Sequence, residues 1–273
     1  MVNRTASSQS TMGSINFRRY LKSDLQNVSS GIGSTSPTPD SLISLMRVMR
    51  EKLRVSIKRG SVLPLMHFTY ESFELSARSL PVEGLACREG CAHCCNIFTD
   101  AYAPEIFFAS RVVSPKIGEP ERARIKKIGD FSSSLNFDQL HSIPVPCAVL
   151  DGNRCSIHSA RPLNCRTANS LDDQACKQAF IDCNDTEIPT LPVWRNLGQL
   201  YSMTLKGALF HGGLECAPYE WNSSLSRALR DPTLEQRWLQ GERVFQSEKR
   251  AHDSQPFSHP FWLEIYWRAF DEP

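Results

Sequence analysis

The chain has 273 residues with a formal net charge of +2 and 41% hydrophobic side chains, enough for a real core. That balance gives no general field for binding nucleic acid or a membrane surface. No run of about 18 apolar residues is present, which argues against a transmembrane helix. In the first twenty residues nothing resembles the apolar core of a secretory signal, so a reducing, cytoplasmic location is expected.

Residues 1–38 are rich in Ser, Thr, Gly and Pro and read as a flexible N-terminal tail. Residues 39–83 read as N-terminal helices. Asp40 is the expected N-cap of a helix running to about Gly60, with Leu42, Leu45, Met46, Met49, Leu53 and Ile57 at helical spacing. The basic residues between them (Arg47, Arg50, Lys52, Arg54 and Lys58) suit a solvated face better than a phosphate-binding patch. A second helix is expected over 65–79, with Met66, Tyr70, Phe73 and Ala77 inward.

Residues 84–185 hold nine of the ten cysteines. Cys87, Cys91, Cys94 and Cys95 form CREGCAHCC, and Cys147, Cys155, Cys165, Cys176 and Cys183 follow. Turn signals at Gly84, Gly90, Pro144, Pro146, Gly152 and Pro162 predict a loop-rich region, with short helices at 104–113 and 119–128. Residues 186–273 read as a C-terminal helical region. Helices are expected at 193–210 and from Asp231-Pro232 to about 245, with Leu234, Trp238 and Phe245 inward. The aromatic segment 256–270 reads as a docked piece of core. The fold expected is mainly α, with an irregular, loop-rich cysteine and metal core surrounded by helices.

Thiolates are the soft ligands that zinc and iron–sulfur clusters prefer. Disulfides fit less well, because a chain this long does not need staples and the adjacent Cys94 and Cys95 would each need a separate partner. The neighbouring side chains of Cys94 and Cys95 tend to diverge, so their sulfurs can serve different ions. Eight or nine cysteines exceed one zinc. They suit two four-ligand sites, a cluster plus a structural ion, or a cluster with a free thiol. The spacing is not that of ferredoxins. His93 and His158 are weaker ligand candidates beside so much sulfur. Arg154, Arg161 and Arg166 can offset thiolate charge, Arg161 and Arg166 with the better claim. Glu105 is a candidate acid, base or ligand, with helix capping the simpler reading. Cys216, outside the cluster, reads as a small apolar core residue.

CREGCAHCC at 87–95, Pro146-Cys147 and CSIHSARPLNCR at 155–166 together resemble the YkgJ-like cysteine-cluster family, described as zinc- or iron-chelating. The resemblance covers roughly residues 84–183. It implies metal binding, with Cys87, Cys91, Cys94, Cys95, Cys147, Cys155, Cys165 and Cys176 as ligands. His158 departs from the family's usual Tyr. A related pattern occurs in flagellin lysine methylases, but no glycine-rich cofactor loop is present here to support methyl transfer. No P-loop, H-E-x-x-H or dinucleotide-binding glycine motif is present either. Three functions follow: a zinc- or iron-chelating protein, an iron–sulfur-dependent enzyme modifying a protein or peptide, and a structural zinc module presenting a surface to a protein partner.

Overall fold

Pro39 opens the first helix, and its missing N–H makes the preceding Thr38 the cap. In the computed structural model, which describes residues 37–182, 187–245, 257 and 259–270, helix α1 runs Pro39–Arg59. The Thr38 hydroxyl accepts from Ser41 N at 3.3 Å. Asp40, the expected cap, instead lies in the first turn, where its charge favours the helix dipole and pairs with Arg268 at 2.7 Å. Gly60, at φ 62°, closes the helix in the left-handed conformation that glycine adopts without strain. The expected tail lies outside the described residues up to position 36.

Helix α2 (Leu63–Ala77) folds back on α1 and buries Met66, Tyr70, Phe73 and Ala77. Five of the six predicted inward residues of α1 are buried; Ile57, at 39% exposure, is not. Of the basic residues of α1, Arg54 and Lys58 are exposed, as a solvated face requires, while Arg47 packs against the helix Pro260–Phe270. Arg47 donates to the carbonyls of Ala269 (3.0 Å) and Arg268 (2.8 Å), while Arg50 and Arg54 pair with Glu51.

Strand β1 (Asp100–Tyr102) leads into α3 (Ala103–Val113), and α4 (Glu119–Ser134) and α5 (Phe137–Ser142) follow. Strands β2 (Leu150–Asp151) and β3 (Arg154–Cys155) form a small antiparallel hairpin. Then come α6 (Leu163–Thr167), α7 (Asp173–Asp182) and α8 (Pro192–His211). Strand β4 (Pro218–Glu220) pairs antiparallel with β1, with Ala101 opposite Tyr219. Helices α9 (Trp221–Arg230), α10 (Leu234–Leu239) and α11 (Pro260–Phe270) complete the described chain. The fold is mainly α.

One hydrophobic core runs from Leu45 on α1 to Phe245 beyond α10 and includes Phe73, Phe107, Tyr201 and Trp238. Helix α10 is shorter than expected: the chain turns at Gly241 (φ 92°), yet Leu234, Trp238 and Phe245 are all buried. Asp231 and Pro232 precede the helix, and Asp231 Oδ1 accepts from Thr233 N at 3.0 Å. The aromatic end docks as expected. Ile265, Tyr266 and Ala269 of α11 pack on Leu42, Ile43 and Met46 of α1. Among the described residues no helix is long and apolar enough to cross a membrane.

Candidate metal centre

Backbone pairing brings distant cysteines together. Gly84 (φ 79°) and Gly90 (φ 84°) turn the chain around Cys87 and Cys91. Ala86 N donates to Ser170 O at 2.9 Å, which lays the first cysteine segment along the end of α6 and the start of α7. A 3₁₀ turn (His93–Asn96) then presents Cys94 and Cys95. Cys147 N donates to Cys95 O at 2.7 Å and Val145 N to Asn96 O at 3.0 Å, so the Pro146-Cys147 segment runs beside that turn. Asn222 at the start of α9 holds the same segment, accepting from Ala148 N at 2.8 Å and donating to Pro146 O at 3.3 Å. The hairpin carries Cys155. Helix α6 carries Cys165, and α7, packed against the 3₁₀ turn, carries Cys176.

Helix α6 sits against α8 with no room to spare. A Cβ on Gly198 of α8 would meet Thr167 Cγ2 at 2.5 Å, so only glycine permits this approach. On its other side, α6 is tied to Glu105. This buried carboxylate accepts from Leu163 N (2.8 Å), Tyr102 N (3.0 Å) and the Tyr70 hydroxyl (3.3 Å). Its contact with Tyr102 N caps α3, the simpler of the two sequence readings. Burial pushes the carboxyl up to about 7, against the pull of these three donors.

Cys87, Cys91, Cys94, Cys95, Cys147, Cys155 and Cys165 line one cleft of about 1280 Å³. Cys176 is not among its lining residues, but it lies within electrostatic reach of Cys91 and Cys94. Nine described cysteines are unbridged. Burial raises the Cys87, Cys155 and Cys176 thiols. It pushes Cys147 up to about 11, although the Trp221 side chain hydrogen-bonds that thiol. Burial first, and then Cys147, Cys94 and Cys155, raise the Cys165 thiol well above its ordinary value. The hydrogen bond that the Cys94 thiol donates to Cys95 is the first cause that raises Cys94.

Two overlapping neighbourhoods emerge. Cys87 senses Cys94, Cys91 and Cys176, while Cys165 senses Cys147, Cys94 and Cys155. Cys94 belongs to both, with Cys95 beside it. Among the described residues no three Cys, His, Asp or Glu side chains converge closely enough to hold a metal ion; the sulfurs ring the cleft instead. The donor set itself, unbridged thiols at mutual electrostatic range, suits a soft cation.

His158 lines the cleft, and the Arg161 charge and then burial lower its pKa. His93 lies in the 3₁₀ turn and does not line it. Cys216 is a buried core residue, and Cys183 lies outside the described residues. Asn222, Trp221 and Gly198 had no signal in the sequence, because each acts from beyond the last cysteine of the cluster.

Arg161 and Arg166, alike in sequence, play different parts. Arg166 is buried: its Nε donates to Arg161 O (2.9 Å), Nη2 to Ser159 O (2.5 Å) and Nη1 to Glu74, and its guanidinium lies 4.0 Å from the Tyr70 ring centroid. It fastens the loop between Cys155 and Cys165. Arg161 lines the cleft beside the thiols.

The fold and this cleft define a mainly helical protein built around a cysteine cluster. Residues 86–185 match the CxxCxxCC family model, described as "Putative zinc- or iron-chelating domain". No curated protein and no solved structure matches the chain.

Proposed function

We propose that this protein chelates zinc or iron through Cys87, Cys91, Cys94, Cys95, Cys147, Cys155, Cys165 and Cys176, in a reducing compartment such as the cytoplasm. The observation that carries this reading is that seven of these thiols line one cleft and the eighth lies within reach of two of them. Cys87, Cys91 and Cys176 form one group and Cys147, Cys155 and Cys165 a second, with Cys94 and Cys95 at the junction. Each junction cysteine completes one group of four, the number a tetrahedral ion needs.

The test is elemental analysis and an absorption spectrum on protein purified without oxygen. About two zinc per chain with no visible band supports paired sites. Cys94→Ser/Cys95→Ser should lower the metal content, and unchanged content would show the ligands to be misplaced.

A second reading has its own observation. The cleft continues past the sulfurs to Asp100, Gln199, Ser202, Met203 and Glu220, leaving room for a substrate beside the cysteines. An iron–sulfur cluster there would supply redox chemistry to an enzyme acting on a protein or peptide. Iron with acid-labile sulfide and a brown colour favours it; a colourless protein opposes it.

A further inference from the structure

Arg161 stands at the turn between the hairpin of Cys155 and the helix of Cys165. Its carbonyl is held by Arg166. Its own side chain is not held. The buried Nε has no hydrogen-bond partner, and no carboxylate pairs with the guanidinium among the described residues. Of the other arginines lining the cleft, Arg88 pairs with Asp173 at 2.7 Å and Arg154 with Glu89 at 3.4 Å, while Arg195 is exposed on α8. A buried donor without an acceptor is destabilising, so the position of Arg161 suits a site that supplies one. The groups that feel its charge are His158, Cys94, Cys155 and Cys165.

We propose that Arg161 is the positioning residue and counter-charge of the cysteine site, donating its N–H groups to the thiolate sulfurs once they hold a metal ion. The inference rests on the chelating function proposed above. Four thiolates around a divalent ion leave a net charge of about −2. A planar fork of donors can satisfy two sulfurs and offset part of that charge, which a single ammonium does less well. Arg166 cannot take this part, because its donors are already spent on Glu74 and two carbonyls.

The experiment uses the full chain, purified without oxygen, with zinc as the probe and a competing chelator to read affinity. Elemental analysis gives stoichiometry, and circular dichroism of the metal-free proteins checks the fold. Arg161→Gln should bind as many zinc ions as the wild type but about ten- to a hundredfold more weakly. Arg161→Lys should recover part of that loss. The gap between Arg161→Gln and wild type should narrow as salt rises, which a purely structural defect would not do. Affinity of Arg161→Gln within about twofold of wild type, or Arg161→Lys no better than Arg161→Gln, overturns the proposal. Should Arg161→Gln fail to fold, Arg161→Lys decides alone: weaker, salt-sensitive binding supports the proposal and wild-type affinity overturns it. Failure of the chelating function itself would be seen first and separately, in wild-type protein that takes up no zinc.

Discussion

Replacing Glu105 by Gln should change how stability depends on pH. Glu105 joins three elements: it caps α3, receives the Tyr70 hydroxyl of α2 and holds the first amide of α6. Burial raises its carboxyl from an ordinary 4.5 to about 7. The folded protein therefore holds this proton more tightly than the unfolded chain. The resulting stability is fully present below about pH 4.5 and is lost as pH rises through about 7. That interval corresponds to about 3 kcal/mol, at roughly 1.4 kcal/mol per pH unit. A Gln has no proton to lose, so the variant lacks this decline. It also lacks one acceptor for Tyr102 N, a loss of about 1 kcal/mol that does not vary with pH. Urea unfolding followed by circular dichroism, on metal-free reduced protein at several pH values from about 4.5 to 7.5, measures both. The wild type should lose about 3 kcal/mol relative to Glu105→Gln across that range. Parallel profiles would refute the claim that Glu105 is buried at an electrostatic cost.

Gly198→Val should force α6 away from α8, because even a Cβ there meets Thr167 at 2.5 Å; a loss of about 1–3 kcal/mol in denaturant melts is expected, with weaker metal retention. Arg166→Ala should cost about 2 kcal/mol or more, since it orphans the carbonyls of Ser159 and Arg161. Unlike Arg161→Gln, it should lower the melting temperature of the metal-free protein. Zinc uptake should strengthen as pH rises, because the raised thiols of Cys147 and Cys165 must lose protons to bind. Competition titrations at two pH values, with proton release followed by indicator dye, check that direction.

The long helices were legible because their apolar residues recur at helical spacing. Leu42 through Leu53 marked the buried face of α1, and Met66, Tyr70 and Phe73 that of α2. Ile57 misled because in the last turn the buried face passes through Ser56, which is fully buried and accepts from Leu65 N of α2 at 3.1 Å. Helix α9 was illegible for a different reason. Its segment WNSSLSRALR is rich in polar residues, yet Asn222, Ser223, Ser224 and Ser226 are buried. Gly129 of α4 allows that burial: a Cβ there would meet Ser226 Cβ at 2.4 Å, so the two helices approach closely enough to bury hydroxyls. At the site, the cysteines announced themselves, but their grouping did not. Cys147 reaches Cys95 by a backbone hydrogen bond spanning 52 positions, a contact that no local spacing encodes. The contrast between Arg161 and Arg166 likewise depends on Glu74 and Tyr70, which lie in α2, far from the motif.

The pairing of β1 with β4 bears on how this chain could be cut or grafted. The matched segment ends at residue 185, but β1 within it takes its strand partner from Pro218–Glu220, and Trp221 N donates to Thr99 O at 2.9 Å. A fragment trimmed to the cysteine motifs would bare one edge of β1 and the face of α3 that meets α9. It would also lose Asn222, which steadies the segment bearing Cys147. Recombination that transplanted only the cysteine-bearing stretch would carry the ligands without part of the frame that holds them. Inheritance of a working site therefore favours the stretch travelling together with the helices that follow it.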